Sequence, residues 1–343
     1  MLKFSCDYME GAHPAILKRL GEINLDKNDG YGYDPYTQMA REKIRKACGL
    51  PDAEVHLLVG GTQTNTIVLD ALLRHNEGVM AAQTGHINVH EAGAIEACGH
   101  KVMPVATSNG KILIPELAHH LAELKAEYDV IGWEHYVVPR VLYISFPTEL
   151  GSLYTLDELL QLRALCDQYH LYLFLDGARL GYGLMSPTCD ITLHDIARLC
   201  DVFYIGGTKV GALFGEAVVV TNPSVTIPRA LIKQRGAMLA KGWLLGVQFD
   251  TLFTDNTYFD IARNAVSQAL RLRDALVRKG YRMYLDSPTN QQFVVVPNAQ
   301  LPQLAQEVGF DTISAYDDQH TVIRFCTSWA TTTAQVDQLM ALL

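Results

Sequence analysis

The stretch LYLFLDGARLGYGLMSPTCDITLHDIARLCDVFYIGGTKVGALFG, residues 171–215, decides the fold. Its apolar start, Leu171–Leu175, has no polar alternation, which is typical of a strand buried on both faces. This strand ends at Asp176. A helical stretch follows, and then a second buried strand, Val202–Ile205, leads through two glycines and a threonine to Lys209. In an open α/β sheet, an acid and a lysine at two strand ends both face the ligand crevice.

Such a pair has a specific chemical use. Enzymes that employ pyridoxal 5'-phosphate (PLP) need a lysine for the Schiff base with the cofactor and an acid beside its pyridinium nitrogen. Taken singly, Asp-Gly is usually a turn and a lysine is usually a surface residue. However, Lys209 lies in the otherwise uncharged stretch Val202–Leu213, where a solvated position would need an explanation. Arg179, three residues after Asp176, could grip a carboxylate or a phosphate with two hydrogen bonds.

The length, net charge and cysteine content of the chain limit the classes of protein to which it can belong. A chain of 343 residues is long enough for one large α/β domain and a smaller one. A net charge of −9 argues against nucleic acid and anionic membranes as partners. The seven cysteines form no CxxC pair, which argues against a disulfide framework or a zinc ribbon, and no metal site is predicted. With no leader pattern and no apolar run of membrane-spanning length, we expect a cytoplasmic protein.

Strands and helices alternate through the first two thirds of the chain, which predicts a mostly parallel sheet. One helix of this part is expected at Val89–Ala97, and a longer one beyond the sheet around Arg229–Leu252. A short α+β tail follows. We therefore predict a large α/β domain over residues 14–249 and a small α+β domain over residues 250–343, which the N-terminal arm, residues 1–13, joins.

A glycine-rich segment, VGGTQTN at residues 59–65, follows a predicted strand and opens a predicted helix. Glycines let the backbone approach an anion closely, and a helix N-terminus offers free N–H groups and the positive end of its dipole. The segment is therefore a candidate phosphate site. The alternative is a tight turn capped by Thr62 or Thr64. The spacing matches neither the P-loop nor the dinucleotide fingerprint.

Two further strand ends carry groups able to move protons. His86, in Gly-His-Ile, could stack on a flat ring and act as acid or base, or it could simply enter a helix and bond to local backbone. Glu91 follows in the first turns, a position that the helix dipole favours for an acid. Glu149, in SFPTELG, could face the crevice or could be a solvated loop residue.

Three basic residues in the last third of the chain can each be interpreted in two ways. Lys233 and Lys241 lie on either side of Gly236, where they could form a solvated basic face or reach an anion in a neighbouring subunit. Arg324 lies inside the apolar strand Val322–Cys326, so it needs an anionic partner. That partner could be a substrate carboxylate or an internal acid.

Together these motifs resemble the threonine aldolase and β-eliminating lyase family of PLP enzymes. The resemblance covers nearly the whole chain. It implies the fold of the PLP-dependent transferases (fold type I, the aspartate aminotransferase type), with a seven-stranded sheet in the large domain. The motifs that carry it are YGYDP at 31–35, GGTQTN at 60–65, GHI at 85–87 with Glu91, DGAR at 176–179, GTK at 207–209, and Arg324 with TSW at 327–329.

The resemblance also implies roles for individual residues. Lys209 would form the Schiff base and Asp176 would bind the pyridinium nitrogen, while His86 would stack on the ring. A second group would hold the rest of the cofactor: Gly61, Thr62, Gln63, Arg179 and Thr208. A third group would bind the amino acid substrate: Arg179, Arg324, Ser5 and Tyr31. The family assembles as homodimers or homotetramers, which implies that residues of one chain face the neighbouring chain's cofactor: Tyr31, Lys233 and Lys241.

The chain departs from the best-known aldolases at two places. Those enzymes carry Asn-Thr-His-Asn where this chain has Pro-Thr-Glu-Leu at 147–150, so Glu149 replaces a histidine near the substrate hydroxyl. The serine signature near the N-terminus is altered to FSCDY at 4–8, where Ser5 and Cys6 are both possible matches.

The expected activity is cleavage of a β-hydroxy-α-amino acid, of the threonine or allo-threonine type, to glycine and an aldehyde. His86 or Glu149 would take the hydroxyl proton. The alternative within the same cofactor class is β-elimination or transamination of another amino acid. A catalytically silent protein on this scaffold would not need to keep both Asp176 and Lys209, and a nicotinamide enzyme would need the missing glycine fingerprint.

Overall fold

The computed structural model describes all residues, 1–343, and contains fourteen helices and fifteen strands. The helices are α1 Pro14–Glu22, α2 Pro35–Cys48, α3 Gly61–Leu72, α4 His86–Val89, α5 Ala94–Ala97, α6 Ile114–Ile131, α7 Leu156–Tyr169, α8 Leu180–Leu184, α9 Leu193–Leu199, α10 Arg229–Gln234, α11 Trp243–Leu252, α12 Thr257–Arg278, α13 Leu301–Glu307 and α14 Thr333–Leu342. The strands are β1 Leu2–Lys3, β2 Glu54–Leu58, β3 Glu77–Ala82, β4 Lys101–Val105, β5 Thr107–Ser108, β6 Lys111–Ile112, β7 Val138–Ser145, β8 Tyr172–Asp176, β9 Val202–Gly206, β10 Glu216–Val220, β11 Arg282–Met283, β12 Gln291–Pro297, β13 Val308–Gly309, β14 Asp311–Ala315 and β15 His320–Cys326. None of the helices combines the length and the hydropathy that a membrane crossing requires.

A seven-stranded sheet of order β2-β10-β9-β8-β7-β3-β4 forms the centre of the molecule. The strands β9, β8, β7, β3 and β4 run parallel, and β10 runs antiparallel to both of its neighbours. The predicted fold, an α/β protein with a mostly parallel seven-stranded sheet, is therefore confirmed. The two strands with which the sequence analysis began, β8 and β9, are adjacent in the middle of this sheet.

Helices cover both faces of this sheet, which explains why its central strands are mostly apolar. Along β7, Leu142 and Ile144 enter the hydrophobic core on one face, and Val141 and Tyr143 enter the core on the other. Successive side chains of a strand point to opposite faces, so a strand covered on both sides cannot alternate with polar residues. The first polar side chain at the carboxyl end, Ser145, lies opposite Asp176 in the ladder.

A second, antiparallel sheet of order β11-β12-β15-β14 lies in the C-terminal part, and α12 and α14 pack against it. The N-terminal arm contacts this part of the chain. The Phe4 N–H donates to the Gly309 carbonyl at 2.8 Å, and the Phe4 carbonyl accepts from the Cys326 N–H at 2.7 Å. These bonds connect the arm to the C-terminal part of the chain. The division into two domains near residue 250, with the arm in the smaller one, stays a prediction.

Two predicted helices are wrong in extent. The helix expected at Val89–Ala97 is two short helices, α4 and α5, because Ala92 and Gly93 have φ of 52° and 72°. The long helix around Arg229–Leu252 is interrupted between α10 and α11, where Gly236 has a φ of 74°. A residue with positive φ, most often a glycine, cannot continue a right-handed helix, so the helix ends there. Strand β14 was not expected.

We predict that Gly177→Ala destabilises the protein. Gly177 follows β8, and a Cβ at this position would overlap the backbone carbonyl oxygen of Tyr204 in β9. Because both atoms belong to the central sheet, the backbone must move, and the free energy of unfolding should fall by at least about 2 kcal/mol. The matched control is Gly21→Ala in α1, where a Cβ meets no atom within 4 Å. Alanine forms helices better than glycine, so this variant should gain up to about 1 kcal/mol. Equal unfolding midpoints in urea would contradict the prediction.

Candidate active site

A cavity of about 340 Å³ lies at the carboxyl ends of the central strands. It is where an open α/β sheet normally binds ligands. Eight of the residues predicted for the site line it: Gly61, Thr62, His86, Glu149, Asp176, Arg179, Thr208 and Lys209. Eight residues that are distant from one another in the chain therefore share one cavity.

The Asp176 carboxylate, only 4% exposed, is the most heavily hydrogen-bonded group of the cavity. Tyr143 and Tyr204 each donate a phenol hydrogen bond of 2.5 Å, one to each carboxylate oxygen. The Asn65 amide donates at 3.1 Å and the Ala178 N–H at 3.0 Å. Four donors compensate for the loss of water around a buried charge. Burial and the nearby Asp176 charge raise the pKa of both phenols well above 10, so they remain donors.

Asn65 connects Asp176 to a second carboxylate. Its amide nitrogen also donates to Glu91 Oε1 at 2.6 Å, and the same oxygen lies 2.7 Å from His86 Nδ1. A carboxylate can only accept, so Nδ1 carries the hydrogen and Nε2 is left for the cavity. Burial lowers the pKa of His86, but the bond to Glu91 and the charge of Asp176 outweigh it, and the net pKa is raised. Glu91 thus orients His86.

Glu149 faces the cavity from the loop after β7. Its Oε1 accepts the backbone N–H of His86 at 2.9 Å and the hydroxyl of Ser145 at 2.5 Å. Burial raises the pKa of Glu149, while the Ser145 bond lowers it, and the net shift is upward. Glu149 is therefore a crevice residue and not a solvated loop glutamate. A carboxyl with a raised pKa is suited to proton transfer near neutral pH.

The Lys209 amine projects into the cavity without an ion-pair partner. Its backbone is held because the Tyr182 hydroxyl donates to its carbonyl at 2.5 Å. The nearest aromatic contact of the amine is the Tyr8 ring, whose centroid is 6.0 Å away. Burial and the positive charge of Arg179 lower the pKa of Lys209, although Asp7 and Asp176 oppose this. A lowered pKa leaves more of the amine neutral and nucleophilic.

Arg179 is already paired within the chain. Its Nε and Nη2 donate to the two oxygens of Asp7 at 2.7 and 3.0 Å, which is a bidentate ion pair. Asn290 donates to the same carboxylate at 2.9 Å. Burial alone would raise the pKa of Asp7, but Arg179 and Lys209 lower it to about 2. This pair connects the N-terminal arm, the loop after β8 and the small sheet.

The turn before α3 keeps its N–H groups free. Gly60 is the N-cap of α3 and no side chain caps this helix, so neither Thr62 nor Thr64 has the capping role that was the alternative. A Cβ at Gly60 would meet no atom within 4 Å, which shows open space beside the turn. Free N–H groups at a helix N-terminus suit an anion such as phosphate.

Two predicted residues are turned away from the cavity. The Gln63 amide nitrogen donates to the Arg235 carbonyl at 2.9 Å, and its oxygen accepts from Val59, so its side chain closes the turn. Arg324 donates to Asp311 at 2.8 Å and also to Gln291. Of its two possible partners, the structure has the internal acid, which was not foreseen because Asp311 belongs to the unexpected strand β14.

The remaining predicted residues also lie outside the cavity. Ser5 contributes its carbonyl oxygen to Arg324 at 3.3 Å. Tyr31 is exposed and its ring centroid lies 4.8 Å from the Lys233 amine. Lys241 is exposed nearby. Within a single chain, therefore, none of these side chains contributes to the cavity.

Several residues of the site are not predicted from the sequence. Tyr143 and Tyr204 were read as ordinary members of buried strands. Asp7 was part of an irregular N-terminal segment, and its partner is 172 residues away. Glu216, at the start of β10, lines the cavity as well. A signal existed for Glu216, because it is the only charged residue in an apolar strand.

The fold is that of a family of lyases. The chain matches the model of the beta-eliminating lyase family over residues 4–291 and belongs to that family. This confirms the predicted family and the predicted class of enzyme.

Individual relatives are similar over most of the chain. A low specificity L-threonine aldolase of a Pseudomonas strain is 28% identical over 99% of this chain and 96% of its own. A protein of the same description from Pseudomonas aeruginosa is 30% identical over 80% of this chain and 78% of its own. The solved structure of the Leishmania major threonine aldolase is 41% identical, with a TM-score of 0.95, and covers 100% of this chain and 98% of its own.

We predict that Asp7→Asn lowers the free energy of unfolding by about 3 to 5 kcal/mol at pH 7, because it leaves the buried Arg179 charge unpaired. The Asp7 pKa of about 2 lies below the ordinary value of 3.8. Its stabilising contribution is therefore complete at neutral pH and is lost as the pH falls from about 4 towards 2.

Urea unfolding of both proteins between pH 8 and pH 3 checks this prediction. The difference should be constant above about pH 5 and shrink below about pH 4. The control is Asp260→Asn, which removes the exposed 2.6 Å ion pair with Arg263 on α12 and should change stability by less than about 1 kcal/mol. A deficit of the Asp7 variant no larger than that of the control would contradict the prediction.

Proposed function

We propose that this protein is a PLP-dependent aldolase that cleaves a β-hydroxy-α-amino acid, of the threonine or allo-threonine type, to glycine and an aldehyde. One observation carries the proposal. Lys209, Asp176 and the free N–H groups of the Gly60–Thr62 turn line one cavity. They are the three groups that PLP needs for its aldehyde, its ring nitrogen and its phosphate. The names of the relatives support the same activity.

The residues present fit the cofactor. The turn before α3 and the Thr208 hydroxyl would hold the phosphate, and His86, with Nδ1 fixed by Glu91, would lie against the ring. Asp176 already has four donors, but the longest bond, from Asn65, comes from an amide that also bonds to Glu91. Asn65 keeps that second bond when it releases Asp176, so one acceptor position becomes available to the ring nitrogen.

Arg179 would bind the substrate carboxylate. Its bonds to Asp7 use Nε and Nη2, which leaves Nη1 for the substrate. The bidentate pair fixes the plane of the guanidinium before substrate arrives, so little side-chain entropy is lost on binding. A fixed carboxylate orients the Cα–Cβ bond for cleavage by positioning alone.

Glu149 would take the proton from the β-hydroxyl. It must be ionised to do so, and its raised pKa makes it a stronger base than an ordinary carboxylate. Loss of this proton would allow the Cα–Cβ bond to break and the aldehyde to leave. PLP, when bound, would supply the electron sink for the pair released at Cα. His86, whose backbone N–H holds Glu149 in place, is the second candidate for the base.

A neighbouring copy of the chain would complete the site. We propose that the protein forms a homodimer or homotetramer in which Tyr31, Lys233 and Lys241 face the partner's cofactor. Their exposure and the absence of their side chains from the cavity of one chain support this placement. Arg324 would bind the substrate carboxylate by exchanging its hydrogen bond with Asp311 for one with the substrate.

We predict that borohydride reduction of the purified, yellow protein attaches the cofactor to Lys209, and that Lys209→Ala forms no such adduct and releases no glycine from threonine. Peptide mass spectrometry locates the adduct. The control is Lys18→Ala, at an exposed lysine of α1, which should keep both properties. A reducible adduct in the Lys209 variant would rule out the assignment.

Product analysis distinguishes aldol cleavage from β-elimination and from transamination. Glycine with an aldehyde supports the aldolase, whereas a keto acid with ammonia indicates β-elimination. A keto acid with the nitrogen transferred to a second product indicates transamination.

We predict that Glu149→Gln lowers the rate of cleavage about 100-fold or more and leaves PLP affinity nearly unchanged, because a general base contributes about that much. Cleavage by the wild type should increase with pH through the raised pKa of Glu149, and the variant should lack this increase.

Ser145→Ala is the informative companion variant. It removes the 2.5 Å hydrogen bond that lowers the pKa of Glu149, so the increase should move to higher pH without disappearing. Unchanged turnover in Glu149→Gln would exclude Glu149 and leave His86 as the base.

A further inference from the structure

Glu216 occupies the position between the two turns that form one end of the cavity. It is the first residue of β10, and its ladder partners are Leu58 in β2 and Gly206 in β9. Leu58 leads into the Gly60–Thr62 turn, and Gly206 leads into Gly207-Thr208-Lys209. The Glu216 residue is 3% exposed and lines the cavity together with both turns. The mechanism above gives it no role.

The carboxyl of Glu216 is held by the turn that carries Lys209. Its Oε2 accepts the backbone N–H of Gly207 at 2.9 Å. Burial raises the pKa of Glu216 to about 7, although the bonds from Thr208 and Gly207 oppose this. The group is therefore ready to gain or lose a proton near neutral pH.

Few charges surround Glu216. Lys209, on the following turn, lowers its pKa, and Asp176, at the end of β8, raises it. The phenols that face it are Tyr204 of β9 and Tyr258 of α12, and both stay neutral because burial raises their pKa values. The β2 side contributes only Leu58. Lys209 is thus the main cation that acts on this carboxyl, and the nearby Arg179 is paired with Asp7.

We propose that Glu216 is a proton-holding residue of the phosphate site, which takes up one proton when the phosphate of PLP binds, so that affinity for the cofactor falls as the pH rises. This inference rests on the proposed function, because it assumes PLP in this cavity. A protonated Glu216 keeps its acceptor bond with Gly207 through one oxygen and donates from the other to a phosphate oxygen.

The physical reason is the repulsion between like charges in a site with little water. A phosphate monoester carries nearly two negative charges at neutral pH. In the chain itself the phosphate would be bound by N–H groups, hydroxyls and a helix dipole, with no guanidinium or second lysine lining that end of the cavity. A carboxylate in the same space would repel it strongly, because the effective dielectric is low. Protonation of Glu216 removes this repulsion and supplies a donor.

The pH dependence follows from linkage. Below pH 7 Glu216 is protonated before the phosphate arrives, so binding needs no proton. Above pH 7 each binding event must take up a proton, and the dissociation constant contains a factor that rises about tenfold per pH unit. In the complex the negative phosphate raises the pKa of Glu216 further. The factor stops rising once the pH exceeds this higher pKa.

The test is equilibrium dialysis of the full-length protein and of Glu216→Gln against PLP from pH 6 to 9. Glutamine keeps the shape and the acceptor for Gly207 but cannot ionise. Because Glu216 also raises the pKa of Lys209, the contribution of Lys209 is measured separately with pyridoxal. The ratio of the wild-type to the variant dissociation constant cancels the ionisation of the phosphate. It should stay constant below pH 7 and rise up to about 100-fold between pH 7 and pH 9. Thermal melting of both proteins checks that the variant folds.

Pyridoxal, which lacks the phosphate, is the discriminating probe. It forms the same bond with Lys209, so the ratio for pyridoxal measures only the effect of Glu216 on Lys209 and should change far less with pH than the ratio for PLP. A ratio that rises equally with pyridoxal would place the effect at Lys209 and overturn the proposal. Glu149→Gln, at another buried carboxyl of the cavity, should give a flat ratio with PLP.

A PLP ratio that stays flat would also overturn the proposal, because it would show that Glu216 takes up no proton. The borohydride adduct of the wild type is measured first. If Lys209 carries no adduct, the proposed function fails and the inference with it. If the adduct is present and the ratio is flat, only the role of Glu216 fails.

Discussion

The buried charge of Asp176 is the constraint on which the rest of the site depends. A carboxylate that loses its water needs several hydrogen-bond donors, and no single element can provide them. Here they come from β7, β9, α3 and the chain just after β8, through Tyr143, Tyr204, Asn65 and Ala178. The strand order places β7 and β9 on either side of β8, so both can supply a donor to Asp176. This requirement explains the two tyrosines in these largely apolar strands.

The Asp7–Arg179 pair extends this arrangement to the rest of the molecule. Asp7 belongs to the arm, Arg179 follows the central strand β8, and Asn290, which also bonds to Asp7, precedes the first long strand of the small sheet. The group that would bind a substrate carboxylate is thus positioned by three separate segments. Because all three are buried around one charge pair, relative movement of the segments would expose or separate charges, which is costly.

Three acids line the cavity together with three bases, and the protonation of the acids is the main variable of the site. Asp176 and Glu91 each accept hydrogen bonds from several donors, whereas burial raises the pKa of Glu149 and of Glu216. The same residue type therefore has different chemical properties in one cavity, depending on how many donors accompany the burial. The two carboxyls that can carry a proton lie on different sides of the cavity, one after β7 and one beside Gly207.

The sequence alone was enough to predict the positions of the main strands along the chain, the mostly parallel sheet, and the placement of Asp176, Lys209, His86 and Glu149 at strand ends. These are consequences of local apolar runs, whose ends are visible in a single sequence. Only the tertiary structure decided which side chains meet. Asp7 pairs with Arg179 across 172 residues, Arg324 turns to Asp311, and Gln63 closes its own turn. Hydrogen-bond partners depend on distances set by packing, and a local pattern contains no information about those distances.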